Sequence, residues 1–249
     1  MNKEILINYL NSLEECGIPG CDCAVYYNHK PVFRHMMGYA DIVSKKPLAQ
    51  TNTYWLYSAT KLFTCTAVMQ LIEQGRIGLD TPVSEYLPEF MTMKVKEGSG
   101  VRPAKKPITV RHLLSMQSGL NYNLDAPSIL KILGASEYEA TTRQVVAALA
   151  NEPLDFEPGT RFQYSLSHDV LGAVIEVVSG QQLGKYFEEH LFNPLGMKNT
   201  GFELTLERKA NLAGQFEYHM ESKTSTSVPN KNRYALTRNF QSAGAGLIS

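Results

Sequence analysis

An α+β fold is predicted for this chain, because its strand-like and helix-like stretches are segregated instead of alternating as βαβ units. Two short strand patterns flank a polar turn near the N-terminus, mainly helical periodicity runs from residue 58 to about 196, and from Gly201 that periodicity is lost in a polar stretch. The 249 residues, 43% hydrophobic and 19% charged, suit an ordinary globular protein with a sizeable core in one large domain or two lobes.

Ile5, Leu6, Tyr9, Leu10 and Leu13 recur at helical spacing behind Glu4, so the chain opens on an amphipathic helix and not on a signal peptide. Gly17-Ile18-Pro19-Gly20 is a turn. Residues 21–27 and 31–37 then read as a hairpin about Asn28-His29-Lys30, and 38–53 as a loop. Helices are expected near 58–74, 109–117, 125–134, 141–151, 167–179 and 181–192, with Pro82, Pro88, Pro107, Pro153, Pro158 and Pro194 as breaks. Lys94, Lys96, Arg102, Lys105 and Lys106, with Gly98 and Gly100, read as a solvated loop, and 222–232 as exposed. The chain thus divides into 1–57 (helix and hairpin of a sheet lobe), 58–200 (a helical lobe) and 201–249 (a return towards the sheet lobe).

Lys plus Arg and Asp plus Glu each number 24, so no net charge favours nucleic acid or an anionic membrane as a partner. No apolar run is long enough to span a bilayer. Cys16, Cys21, Cys23 and Cys65 form neither a disulfide framework nor a metal-ligand pattern, which points to free thiols in a cytoplasmic setting, with no metal or cofactor expected. Gly-x-Ser-x-Gly and His-Glu-x-x-His are both absent from the sequence, against an α/β-hydrolase and a zinc peptidase.

Ser58 and Lys61 lie one turn apart at the head of an apolar run that ends at Gly75, and Lys61 is the one charged residue between Ser58 and Gln70. A helix apolar all round is expected to be buried. Burial disfavours the charged form of an amine, which is what a general base requires. The three-residue spacing puts the amine on the serine's face, and the helix N-terminus adds positive potential where an alkoxide would form. Ser128/Lys131 is a second Ser-x-x-Lys pair. On these residues alone, a surface serine cap with a lysine reaching to water explains Ser58/Lys61 as well.

Further segments decide between the readings. Ile72-Glu73-Gln74-Gly75-Arg76-Ile77-Gly78-Leu79-Asp80-Thr81-Pro82-Val83 follows the serine helix, and Leu113-Leu114-Ser115-Met116-Gln117-Ser118-Gly119-Leu120 comes next. Phe156-Glu157-Pro158-Gly159-Thr160 leads to Phe162 and Tyr164-Ser165, and Leu191-Phe192-x-Pro194-Leu195-Gly196-Met197-x-x-Thr200 closes the series. In this order the segments resemble the serine β-lactamase and penicillin-binding-protein superfamily, especially its class C-like and esterase branch. The resemblance implies a β-lactamase/transpeptidase-like fold, an antiparallel sheet with a large helical domain. It implies that Ser58 attacks a carbonyl carbon and becomes acylated, that Lys61 accepts or relays the proton, and that Tyr164 supplies a phenolic oxygen. A phenol stays protonated near neutral pH unless a cation lies beside it, and Lys61 is the candidate.

Three departures from the family pattern bear on function. Met116 stands where the family usually has His. Tyr164-Ser165-Leu166 replaces Tyr-x-Asn, so the donor that β-lactamases and peptidases offer to the substrate amide is gone; Leu166, Tyr122, Ser167 and His168 are the expected substrate-binding positions, although His168 is more simply a helix-start or surface residue. The family's Lys/His-x-Gly strand has no counterpart before Ser249, which implies an incomplete catalytic domain, weakly active alone and inclined to self-associate or to recruit a complementing C-terminal segment. The expected function is a serine hydrolase of small esters or amides. A β-lactamase or D-Ala-D-Ala carboxypeptidase, with a lactam or peptide substrate, is the alternative within the class. A non-catalytic binding module of the same fold is the alternative outside it.

Overall fold

The structure, a computed structural model, describes residues 2–249. Asn2 accepts the N–H of Glu4 and starts helix α1 (Lys3–Ser12), as an N-cap asparagine does. Strands β1 (Gly20–Tyr27) and β2 (Lys30–Asp41) pair antiparallel, with Cys21 opposite Met37 and Tyr27 opposite Lys30. The turn residues Asn28 and His29 both have positive φ, 48° and 60°, as a two-residue hairpin turn demands. Part of the expected 38–53 loop is strand: β2 runs on to Asp41, and β3 (Lys46–Pro47) adds a third strand to the sheet.

Helix α2 (Thr60–Glu73) follows a 3-10 turn at Tyr57–Ala59. It buries Thr60, Lys61, Thr64, Ala67, Val68 and Leu71, a stripe at three- and four-residue spacing. The expectation that this helix is buried all round is corrected here, since Leu62 is 70% and Met69 46% exposed. The basic stretch after it is not a solvated loop. It forms the hairpin β4 (Lys94–Glu97) and β5 (Gly100–Pro103), with Val95 buried, Lys96 paired to Asp155, and Arg102 paired to Glu97 and Glu157. Alternation with apolar Val95 was the strand signal that the charges masked.

Three shorter helices lead to the centre of the core. Thr109 and His112 form a capping box at α3 (Val110–Leu114), α4 (Pro127–Ala135) opens with a proline, and Thr141 and Gln144 cap α5 (Thr142–Leu149). Helix α6 (Ser167–Ser179) is the core element, with Val170, Leu171, Ala173, Val174 and Ile175 fully buried, and it stops at Gly180 in the left-handed conformation. Helix α7 (Leu183–Phe187) continues into a π-turn at Glu188–Phe192. Beyond it, α8 (Leu206–Asn211) corrects the expected loss of helix after Gly201, and β6 (Gln215–His219) pairs with β7 (Thr224–Val228) in a mostly exposed hairpin.

Contacts divide the chain into two compact units. One comprises residues up to Tyr54 with Leu204–Lys231, the other Trp55–Glu203 with Asn232–Ser249. The stretch 201–249 was expected to return as one piece to the sheet lobe; its last part, from Asn232, instead packs within the helical unit.

Candidate active site

All the groups described here lie in the helical unit. Leu56 donates its N–H to the carbonyl of Leu247 at 2.9 Å, which fixes the chain just before the serine. Tyr57 then adopts φ 44°, uncommon for a bulky residue, and this sharp reversal leaves Ser58 exposed at the head of α2. Lys61, one turn on, is only 8% exposed. Its Nζ lies 3.4 Å from Ser58 Oγ, 2.8 Å from the carbonyl oxygen of Gly244, and 4.6 Å from the centre of the Tyr164 ring. The Tyr164 hydroxyl meets Ser58 Oγ at 2.6 Å.

Several bonds hold Tyr164 there. Gln163 donates its backbone N–H to Met116 and its side-chain amide to Asp155, which is itself paired with Lys96 at 2.7 Å. Glu157 accepts from Arg102 and from the N–H of Lys105. Gly159, at φ 82°, packs so close to His112 that an added Cβ would lie 2.8 Å from Nε2. These contacts are the physical content of the Phe-Glu-Pro-Gly-Thr pattern. Each places the backbone that delivers the phenol.

Beside the serine stands a cluster of tyrosines. The ring of Tyr122 lies 5.3 Å from that of Tyr164 and 5.6 Å from that of Tyr234, and Tyr57 meets Tyr234 edge-on at 5.8 Å. Burial, together with the Asp169 charge and the neighbouring phenols, pushes the Tyr122 hydroxyl well above the usual phenol range, so it is a donor at all ordinary pH.

Behind the cluster, residues 242–247 run through the interior with several of their polar groups satisfied by side chains. Thr64 donates to the carbonyl of Ala243, Asn232 to that of Ala245, and Thr60 accepts the N–H of Leu247. Asp169, 2% exposed, accepts from the Ser242 hydroxyl at 2.7 Å and the Gly244 N–H at 3.3 Å. Burial raises its carboxyl above the ordinary range, and Ser242, Gly244 and the Lys61 ammonium oppose that rise.

The whole arrangement sits inside a stretch recognised by comparison with known proteins. A family model described as Beta-lactamase matches residues 8–249. The chain belongs to the beta-lactamase family. Esterase EstB of Burkholderia gladioli is 34% identical to it over 197 residues, 77% of this chain and 49% of EstB. Protein flp of Staphylococcus aureus (strain MW2) is 28% identical over 196 residues, 78% of this chain and 37% of flp. The chain therefore spans about half or less of the length of these curated relatives. Among solved structures, EstCE1, described as a hydrolase with promiscuous acyltransferase activity, matches at TM-score 0.81 and 29% identity over 99% of this chain and 68% of its own. Simvastatin synthase (LovD) of Aspergillus terreus shares the fold at TM-score 0.81 and 24% identity, covering 100% of this chain and 65% of its own. The expectation of a β-lactamase-like α+β fold is borne out.

Within this beta-lactamase-family fold, the expected site residues fall into two groups. Ser58, Lys61, Tyr164 and Tyr122 come together. Leu166, Ser167 and His168 do not reach the open side. Leu166 is 5% exposed and packs in the core beside Ile129 and Val145. Ser167 is fully buried, its hydroxyl shared between Ser118 and Ser165 at 2.8 Å each. His168, 4% exposed, faces Cys65 Sγ at 3.3 Å, which corrects both its substrate-binding and its surface assignment. The start of α6 turns these three inward because that helix is buried on nearly every side. Met116, in place of histidine, is itself buried, with its sulfur 3.5 Å from Ser165 Oγ.

Among the described residues no three His, Cys, Asp or Glu side chains gather as a metal site. Asp169, Ser242, Gly244 and Tyr234 were missed as site residues by sequence reasoning. The available signal was an acidic residue embedded in the apolar run Val170-Leu171, since a charge there has to be buried and partnered. For Ser242 and Gly244, nothing short of tertiary structure brings them to α2.

Proposed function

We propose that this chain is a serine hydrolase that forms an acyl-enzyme on Ser58 and acts by preference on small esters. The observation that carries the reading is one exposed serine hydroxyl held between a phenol at 2.6 Å and a lysine amine at 3.4 Å. Ser58 Oγ attacks the ester carbonyl as its proton passes to the Tyr164 oxygen, which acts as a phenolate whose charge the neighbouring Lys61 ammonium balances. The same proton then goes to the departing alkoxide, and the C–O bond breaks to leave the acyl group on Oγ. Water repeats the sequence, releasing the acid and restoring Ser58. The Ser58 N–H, at the head of α2, faces the developing oxyanion with the helix dipole behind it.

Ester preference over lactam or peptide substrates is supported by the similarity to an esterase, and by the absence of an asparagine two positions after Tyr164, where Leu166 is turned into the core. The four free thiols support a reducing, cytoplasmic setting for this chemistry.

A serine-reactive fluorophosphonate, followed by peptide mass spectrometry, tests the assignment. The expected adduct is on Ser58 and disappears in Ser58→Ala. An adduct on Ser128, the other Ser-x-x-Lys serine, or equal labelling of Ser58→Ala, would refute it.

A further inference from the structure

Lys61 has four rotatable side-chain bonds, and the function proposed above requires its amine to stay beside Ser58 and Tyr164. What fixes it is the carbonyl of Gly244 at 2.8 Å. That carbonyl belongs to the same peptide as the N–H of Ala245, which donates to Ser242 Oγ at 3.0 Å. The Ser242 hydroxyl in turn donates to Asp169 Oδ1 at 2.7 Å. Every donor along this path points the same way, from ammonium to carboxylate, so each bond polarises the next. The Gly244 N–H adds a second donor to the same carboxylate oxygen at 3.3 Å. The packing is specific to glycine, for a Cβ on Gly244 would come 2.7 Å from Asp169 Oδ2.

We propose that Asp169 is a positioning residue for Lys61, acting through Ser242 and the Gly244–Ala245 peptide. A carbonyl backed by a chain that ends on a carboxylate is a stronger acceptor than an isolated one, and it holds the amine in one place. The carboxylate also gives the buried ammonium a counter-charge. The other titratable groups around the pair are Cys65 on α2, His168 on α6, and Tyr122, Tyr164 and Tyr234 from the flanking segments. Asp169 is the acid among them, and the mechanism above makes no use of it. The inference rests on the reading that Lys61 serves Ser58, and its test separates the two.

The experiment is the rate of Ser58 fluorophosphonate labelling against pH in wild type, Asp169→Asn, Ser242→Ala and the double variant, with circular dichroism melts as the fold control. Asparagine keeps the shape and an acceptor but removes the charge. Both single variants are expected to label at least about tenfold more slowly at neutral pH, and the double variant no more slowly than either, because all three cut one path. In Asp169→Asn the pH profile of labelling is expected to change shape, because the charge at the end of the path is gone. Unchanged labelling, additive losses, or a uniform loss with an unchanged profile would overturn the proposal. Where Asp169→Asn fails to fold, Ser242→Ala, which keeps the carboxylate and its Gly244 donor, carries the test. A second readout does not depend on acylation: the side-chain 15N resonance of Lys61, assigned with Lys61→Arg, shifts in both single variants. If wild type is not labelled at Ser58, the hydrolase reading falls while this resonance still decides the relay.

Discussion

Ser58 Oγ lies 2.6 Å from the Tyr164 hydroxyl and 3.4 Å from Lys61 Nζ, and in the proposed mechanism the three form one proton-transfer unit, so their losses are expected not to add. Labelling rates of Lys61→Ala, Tyr164→Phe and the double variant should fall to a common residual level. A double variant whose loss equals the sum of the singles on a free-energy scale would mean independent roles. His168 supplies a second prediction at this scale. Burial first, then the Lys61 charge, lower its pKa from 6.5 to about 4. Above pH 6.5 neither the folded nor the unfolded chain protonates this ring; as pH falls from 6.5 towards 4, the unfolded chain takes up a proton that the folded one refuses. Stability therefore declines across that window, by up to about 3 kcal/mol at a 1.36 kcal/mol cost per pH unit. Melting temperatures between those limits should fall less steeply for His168→Gln than for wild type. Equal slopes would show that His168 does not couple to folding. Neither the burial of His168 nor its contact with Cys65 was legible in the sequence, because residues 103 positions apart are joined only by the packing of α6 on α2.

Elements meet here at their smallest residues. Helix α6 approaches residues 242–247 so closely that a Cβ on Gly172 would lie 2.6 Å from Ala243 Cβ, and one on Gly244 2.7 Å from Asp169 Oδ2. Alanine at either site overpacks an interior with no room to yield, at a cost of about 1–3 kcal/mol. For a chain of this size that corresponds to a melting temperature lower by roughly 2–4 °C per kcal/mol. Gly134 makes the contrasting case. It lies in α4 with nothing within 4 Å of an added Cβ, so Gly134→Ala should stabilise by about 0.5–1 kcal/mol through the helix propensity alone. Thermal melts of the three variants check the pair of signs, and a destabilised Gly134→Ala would contradict the argument. Most helices were legible from apolar spacing and caps such as Thr141 with Gln144. Several elements escaped, β3 among them, and two have a plain cause. Charges hid the β4–β5 hairpin, whose buried side rests on Val95, and α8 is too short and polar to leave a periodic signal.

At the scale of the whole molecule, the question is which carbonyl compound the serine meets. A substrate amide loses on the order of 1–3 kcal/mol when a donor it needs is missing, and at position 166 the chain offers a buried leucine. Turnover of p-nitrophenyl butyrate is expected to exceed that of a chromogenic cephalosporin, measured side by side at equal enzyme concentration. Efficient cephalosporin hydrolysis with poor ester turnover would reverse the ranking. The sequence by itself determined the fold class and, through segments that resemble a known superfamily, the family, and it put forward Ser58, Lys61 and Tyr164 as candidates, because each of these rests on a short motif whose members sit within a few positions of one another. Tertiary structure alone decided which way the start of α6 faces, how the tyrosines cluster, and that residues 242–247 are threaded behind Lys61. Those outcomes depend on contacts between Asp169 and Ser242 or Lys61 and Gly244, far apart in the chain. Only a packed interior, where a buried polar group left without a partner is costly, selects them.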